Sequence, residues 1–214
     1  MTCTLYYSRN PNPRLAVAVA RYLAAPVELE WAAPLAPGQA DRFRALNPSL
    51  RVPILAEGAG SLWEADAIAC RLSQMQGSDF WRSGADLPDM IRWISWARDH
   101  FMRACDIVHF ERGTKQRYGL GPVDEGVLAQ GLSLFHESAA VLDAQLRGRE
   151  WLLASGLSYA DFRMAAFLPF NDVARLPLSD YPAVERWHQR LTSMPAWADP
   201  FAGLNAPQLP PVPR

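Results

Sequence analysis

The sequence predicts an α/β domain followed by an all-α domain. Strand and helix signals alternate through the first third of the chain, whereas only helical periodicities follow a polar linker over residues 77–88. A third observation is the high proline content after residue 204, which excludes a further helix. We therefore expect domains at residues 1–77 and 87–204, and a proline-rich surface tail over 205–214.

The first region contains seven predicted elements in the order β-α-β-α-β-β-α. Cys3 to Tyr7 is rich in strand formers, and Pro13 lies where the first turn of a helix tolerates proline. Glu57-Gly58-Ala59-Gly60 predicts a hairpin turn. The elements are expected at residues 3–7, 13–24, 27–31, 39–46, 52–56, 61–63 and 64–76. A helix between the first two strands makes them parallel, so the order predicts a thioredoxin-like domain.

Helices are expected in the second region at residues 87–112, 124–147, 159–175 and 183–193. The first of them is apolar on two sides, which indicates burial on both. Ser158 and Asp161 have the spacing of a capping box, which stabilises a helix start by ~1 kcal/mol. This pair is expected to serve folding rather than specificity.

Composition excludes several classes of function. Lys plus Arg number 21 and Asp plus Glu 22, so no basic excess is present to hold nucleic acid. The longest apolar run, Leu15 to Ala20, is far shorter than the roughly 20 residues that cross a bilayer. The three cysteines are widely spaced, and His100 and His109 belong to no cluster with zinc spacing. A cytoplasmic protein without metal or membrane partner is expected.

The stretch Asn47 to Leu55 is the most informative part of the chain. Pro53 opens an apolar strand, which is allowed where no ladder partner needs its missing N–H. With a cis Val52–Pro53 bond, the chain would bend sharply and leave the N–H and C=O of Val52 outward, free to pair with an extended peptide. A helix start at Glu64 follows, and helix starts attract carboxylates. Together the two segments predict a clamp for a small peptide.

These segments resemble the glutathione transferase family, bacterial beta- and theta-like members in particular. The resemblance covers nearly the whole chain and rests on the following pieces: Leu5-Tyr6-Tyr7-Ser8, Val52-Pro53-Ile54-Leu55, Glu64-Ala65-Asp66-Ala67-Ile68, Gly119-Leu120-Gly121-Pro122, Ala140 to Leu146, Gly148 to Leu152, Ser158 to Phe162, Tyr181 to Val184 and Pro195-Ala196-Trp197. It implies the glutathione transferase fold, a cytoplasmic homodimer, and detoxifying conjugation of glutathione, the co-substrate, to a small hydrophobic electrophile. No metal is implied.

Family members stabilise the glutathione thiolate with a Ser, Tyr or Cys from the loop after the first strand. Alignment on the prolines places Asn10 at the usual serine, whereas counting from the strand places Asn12 at the cysteine of beta-type members. An Asn amide can donate to the thiolate, and one bond to a charged group is worth about 1.5–3 kcal/mol. Ser8 and Tyr6 are substitutes. The alternative is that both asparagines serve the turn alone, since Asn-Pro pairs favour turns.

The resemblance assigns glutathione binding to Arg51, Val52, Pro53, Glu64 and Ala65. Glu64 matches the glutamate that meets the ligand's amino group, although a carboxylate at a helix start is also explained by the helix dipole. Ala65 replaces the serine whose hydroxyl holds the γ-glutamyl carboxylate. Loss of that bond weakens affinity by roughly ten- to a hundredfold.

The acceptor pocket is implied at Trp96, His100 and Arg103. The alternative, favoured because aromatic stripes usually mark packing, is that one stripe of this helix is core and the other a dimer contact. The leading hypothesis is an enzyme. Its rival is a transferase-fold protein with little or no turnover that binds hydrophobic ligands or a partner protein. Thiol–disulfide exchange is disfavoured because the loop after the first strand contains no cysteine.

Overall fold

The structure, a computed structural model, describes residues 3–213. The chain divides into two compact units. One contains the residues up to Trp81 together with Pro195–Leu209, and the other contains Arg82–Met194 with the residues from Pro210. Residues 195–204 thus pack with the α/β unit, whereas the sequence pattern groups them with the helical region. The reason is that Trp197 and Phe201 are buried in the first unit.

The first unit is built on a four-stranded sheet in the order β2-β1-β3-β4. Its strands are β1 (Cys3–Tyr7), β2 (Glu28–Trp31), β3 (Ile54–Glu57) and β4 (Gly60–Trp63), and its helices are α1 (Pro11–Tyr22), α2 (Ala40–Arg44) and α3 (Ala65–Met75). β1 and β2 are parallel, while β3 is antiparallel to both β1 and β4. This confirms the predicted thioredoxin-like domain.

Both faces of β1 are covered. Cys3, Leu5 and Tyr7 are buried on one face, as the period of two in a strand requires. On the other face the Tyr6 ring packs edge-on against Phe43 of α2, with 5.4 Å between ring centroids. β1 therefore lies between two packed layers.

The second unit is helical, which confirms the predicted class. Its helices are α4 (Leu87–Asp99), α5 (Phe101–His109), α6 (Lys115–Tyr118), α7 (Glu125–Leu146), α8 (Tyr159–Met164), α9 (Asn171–Ala174) and α10 (Pro182–Thr192); a π-helical turn, Phe110–Thr114, joins α5 to α6. The last helix, α11 (Pro195–Ala198), belongs to the first unit. Within residues 3–213, no helix has the length and apolar character needed to span a bilayer.

Two predicted helices are each divided. The helix expected over residues 87–112 breaks at His100, whose φ of −123° and ψ of −88° end α4 and begin α5. The apolar stripe continues in phase from Ala97 to Phe101, so the sequence pattern contained no sign of the break. The helix expected over 159–175 divides into α8 and α9 because Pro169 lacks an amide hydrogen.

The capping box before α8 is confirmed. The Ser158 amide donates to Asp161 Oδ2 at 3.0 Å, and the Ser158 hydroxyl lies 3.4 Å from the same oxygen. Asp161 Oδ1 also accepts from the Leu152 amide at 2.9 Å and from the Trp187 indole at 3.0 Å. The buried carboxylate thus joins α8, α10 and the segment that precedes α8.

Candidate functional site

Three segments that the sequence singles out leave the sheet at the same edge. Ile54 of β3 pairs with Tyr6 of β1 on one side and with Trp63 of β4 on the other. The loop after β1 follows the first of these strands, the Val52–Pro53 segment precedes β3, and Glu64 follows β4. The pairing register therefore brings the candidate thiolate loop and the candidate peptide clamp together at one end of the sheet.

The Val52–Pro53 bond is cis, as the clamp requires. Pro53 is buried and Val52 half-buried. Within residues 3–213, neither the N–H nor the C=O of Val52 has a hydrogen-bond partner. Val52 thus presents the backbone groups that an extended peptide can pair with.

Asn47 fixes the segment that leads to Val52. Its side chain is 2% exposed, and its Nδ2 donates to the Arg51 carbonyl at 2.8 Å. Its Oδ1 accepts from the amide and the hydroxyl of Ser49, at 3.0 and 2.8 Å. Sequence reasoning missed this role, because an Asn-Pro pair also marks an ordinary turn.

The loop after β1 brings Ser8 and Asn10 together. The Asn10 side-chain amide donates to Ser8 Oγ at 3.1 Å, and the Asn10 backbone N–H lies 3.4 Å from the same oxygen. Because the hydroxyl oxygen accepts from Asn10, its own hydrogen can be donated to an external anion. Asn10 is the N-cap residue of α1, and its carbonyl accepts from the Arg14 amide at 2.9 Å. Asn12 lies exposed in the first turn of α1, between two prolines that lack amide hydrogens.

The structure separates Tyr6 from this loop pair. The Tyr6 side chain lies on the α2 face of the sheet, and its hydroxyl is 3.4 Å from Nη2 of Arg42. Arg42 also forms a 2.8 Å ion pair with Glu30. The Tyr6 hydroxyl is therefore engaged by a cation, so Ser8 is the better placed of the two substitutes.

Glu64 lies at the start of α3 in a strained conformation. Its φ of +75° falls in the left-handed region, where a residue with a side chain costs about 1–3 kcal/mol. Such strain collects at ligand sites. The Glu64 side chain is exposed, whereas Ala65 is only 3% exposed. The strained residue thus carries an exposed carboxylate at the N-cap position of α3.

The second unit contains an aromatic stack on α4. The Trp96 ring lies 5.5 Å from the Trp93 ring, edge-on, and 5.2 Å from the His100 ring, in stacked geometry. Trp93 is buried with the helix core, Trp96 is half-buried and His100 is exposed. Arg103 is exposed on α5, and within the described range no contact joins it to the stack. The structure therefore brings together two of the three predicted acceptor residues.

The remaining reactive side chains form no further site. Cys3 and Cys105 are buried, and burial raises the pKa of both thiols. Cys70 is half-buried, and burial also raises the pKa of its thiol. His109 is buried against the rings of Phe167 and Phe170. In the part of the chain that the structure describes, no three His, Cys, Asp or Glu side chains converge as metal ligands.

The chain is similar to several known proteins. The family model for the C-terminal domain of glutathione S-transferases matches residues 125–190. Glutathione S-transferase GstB of Escherichia coli (strain K12) is 27% identical over 161 residues, which cover 72% of this chain and 74% of that protein. Residues 125–190 thus match the C-terminal domain of glutathione S-transferases, and the chain is similar to one such protein over most of its length.

Further relatives and solved structures extend the comparison. FtsZ-localized protein A of Caulobacter vibrioides is 27% identical over 175 residues, 76% of each chain. A solved maize glutathione S-transferase I, in complex with an atrazine glutathione conjugate, matches with a TM-score of 0.86 at 20% identity and covers 94% of this chain and 97% of its own. A family member from Pseudomonas fluorescens, with two glutathione molecules bound, has a TM-score of 0.78 at 19% identity and covers 93% and 92%. These structures confirm the predicted glutathione transferase fold.

Proposed function

We propose that this protein binds reduced glutathione along Val52 and transfers its thiolate to a small hydrophobic electrophile. The observation that carries the proposal is the convergence at one sheet edge of three features: the unpartnered backbone of Val52, the Ser8–Asn10 pair and the Glu64 carboxylate. Each matches one part of the tripeptide: its backbone, its thiol and its amino group. Arg51, Pro53 and Ala65 complete the proposed binding segment.

The chemistry requires a thiolate near neutral pH. A free thiol has a pKa of about 8.5, and lowering it by two units takes roughly 2.7 kcal/mol. The Ser8 hydroxyl and the Asn10 or Asn12 amide can supply this, since each bond to a charged group contributes about 1.5–3 kcal/mol. The thiol proton then passes to water. A lone pair of the sulfur then forms a bond to a carbon of the electrophile, and the leaving group departs with the electron pair of the bond that breaks.

Calorimetric titration with reduced glutathione tests the proposal. We expect binding with a dissociation constant of about 1 mM or tighter, which corresponds to roughly 4 kcal/mol. Glutathione disulfide, which has no free thiol, is the matched control for the thiol's contribution. Absence of heat and of competition at high glutathione concentration would contradict the proposal.

The thiolate donors can be separated by single substitutions. Ser8→Ala and Asn10→Ala are each expected to lower turnover of a model electrophile by roughly ten- to a hundredfold, because each removes a donor to a charged group. Asn12→Ala tests the other alignment of the loop. Unchanged turnover in Asn10→Ala and Asn12→Ala would restrict both asparagines to a role in the turn.

A second candidate function is ligand or partner binding with little turnover. Ala65 favours it, because alanine cannot hold the γ-glutamyl carboxylate through a hydroxyl. One relative, FtsZ-localized protein A, is named for a protein association rather than a reaction. Binding of a hydrophobic dye at Trp96 and His100, without glutathione binding, would support this candidate. A cytoplasmic homodimer with a role in detoxification is a prediction from the resemblance. Light scattering, which measures the mass of the particle in solution, tests the homodimer.

A further inference from the structure

The first unit contains a segment from the far end of the chain, Pro195–Leu209, which we call the strap. It begins with α11 and continues without strand or further helix. Its aromatic side chains, Trp197 and Phe201, are buried. The strap is thus an integral part of the unit that contains the proposed glutathione site.

Two arginines on α1 bind the main chain of the strap. Arg14, which is only 6% exposed, donates to the carbonyls of Trp197 and Ala198. Arg21 donates to the carbonyls of Pro200 and Ala202, at 3.4 and 3.0 Å. Arg14 and Arg21 are seven residues apart, two helical turns, so they project from one face of α1. These bonds hold the strap along the helix.

A third arginine, Arg9, lies between Ser8 and Asn10. Its Nε and Nη2 lie 3.4 and 3.3 Å from the Ala206 carbonyl oxygen, and its guanidinium carbon is 4.6 Å from the centroid of the Phe201 ring. The Phe201 ring also stacks on Tyr7, with 5.6 Å between centroids and 23° between planes. The strap therefore contacts Tyr7, the residue before Ser8, and Arg9, the residue after it.

We propose that the strap positions Ser8 and Asn10 for thiolate stabilisation, with Arg9 and Phe201 as its positioning residues. The inference rests on the proposed function. Arg14 and Arg21 bind the strap to α1. The Arg9 contacts instead bind the strap to the loop before α1, in which the Asn10 amide meets the Ser8 hydroxyl.

Arg9→Met and Arg21→Met form a matched pair of variants. Each removes one arginine that donates to a strap carbonyl, but only Arg9 lies in the loop. We expect Arg9→Met to raise the pKa of bound glutathione, read from the ultraviolet absorption of its thiolate, by about one pH unit, with kcat at neutral pH reduced roughly tenfold and KM little changed. Arg21→Met is expected to leave both values unchanged.

A readout without glutathione keeps this test separate from the proposed function. The side-chain amide signals of Asn10, assigned by their loss in Asn10→Ala, report its bond to Ser8 in a nitrogen-15 NMR spectrum. They should move toward those of a solvated amide in Arg9→Met and stay in place in Arg21→Met. If glutathione does not bind, the proposed function fails. The spectra still show whether the strap maintains the hydrogen bond between Asn10 and Ser8.

Equal effects of the two substitutions, or no movement of the Asn10 signals in Arg9→Met, would overturn the inference. Should Arg9→Met not fold, Arg9→Lys and Phe201→Leu replace it. Arg9→Lys keeps the cation but loses the paired donors, so an intermediate shift is expected. Phe201→Leu removes the ring that Tyr7 and Arg9 share, and a wild-type Asn10 spectrum in that variant would equally overturn the inference.

Discussion

Ala65 is the residue at which the proposed glutathione site differs from the pattern of the glutathione transferases that the sequence resembles. Its side chain is 3% exposed at the first position of α3, so the site lacks a hydroxyl while the helix start remains. We expect Ala65→Ser to tighten glutathione binding by roughly ten- to a hundredfold, because one hydrogen bond to a carboxylate is gained. Calorimetric titration of both proteins measures the change.

Ala67→Ser is the control for this substitution, since it adds the same hydroxyl two residues further along α3. Its affinity for glutathione should equal that of the wild type. Weaker binding by Ala65→Ser, with the unfolding transition unchanged, would contradict the site described around Glu64.

Glu64 combines an unfavourable backbone conformation with an exposed carboxylate. Glycine adopts a φ of +75° without the penalty that a Cβ brings. We therefore expect Glu64→Gly to be about 1 kcal/mol more stable than Glu64→Ala in urea unfolding, because only glycine relieves the strain. Both variants should lose glutathione affinity to the same degree, since both lack the carboxylate.

Equal stability of the two Glu64 variants would show that the left-handed conformation is relaxed there. Unequal glutathione affinity would instead assign part of the binding to backbone geometry. The pair thus separates what the strain does for folding from what the side chain does for the ligand.

At the scale of elements, the start of α8 depends on one buried carboxylate. Asp161 accepts hydrogen bonds from the Ser158 and Leu152 amides and from the Trp187 indole. Asp161→Ala leaves these donors buried and unsatisfied, and each such group costs about 1–3 kcal/mol. We expect a loss of several kcal/mol in Asp161→Ala and about 1 kcal/mol in Ser158→Ala, measured by urea unfolding.

Asp172→Ala, which removes an exposed carboxylate on α9, is the control and should change stability little. Glutathione affinity of the folded fraction should be the same in all of these variants. A changed glutathione affinity with an unchanged free energy of unfolding would show that the capping box serves ligand binding rather than folding.

The prediction of an element was correct where a single residue type or a regular hydrophobic period determines the local structure. Pro53, the hairpin turn and the Ser158–Asp161 spacing each have a local cause, and each appears in the structure. The break at His100 was missed because the stripe from Ala97 to Phe101 keeps helical spacing across it. The Ser8–Asn10 bond was missed as well, because no rule of spacing fixes which side chains of a loop meet.

At the scale of the whole molecule, stability should depend on pH through His109. The ring is 4% exposed, and burial, aided by the charge of Arg117, lowers its pKa to about 4. The folded state therefore favours the neutral ring, whereas an unfolded histidine titrates near 6.5. As the pH falls from about 6.5 to about 4, only the unfolded state takes up this proton, so the His109 contribution lowers the free energy of unfolding by about 3 kcal/mol. Burial raises the pKa of the Asp161 carboxyl to about 6, and that group contributes in the opposite sense over the same range.

Urea unfolding across this pH range measures the effect. His109→Phe keeps a ring against Phe167 and Phe170 but has no titrating group there, so its free energy of unfolding should fall by about 3 kcal/mol less than that of the wild type over this range. A wild-type slope in His109→Phe would assign the acid sensitivity to other groups.

The sequence by itself determined the two kinds of domain, the resemblance to glutathione transferases and the candidate clamp, because these follow from local periodicity, from short motifs and from proline chemistry. Only the tertiary structure decided which groups meet: Ser8 with Asn10, Tyr6 with Arg42, and Arg9 with a strap nearly two hundred residues away. The physical reason is that hydrogen bonds and ring contacts act over a few ångströms in space. Chain folding, not spacing along the chain, sets those distances.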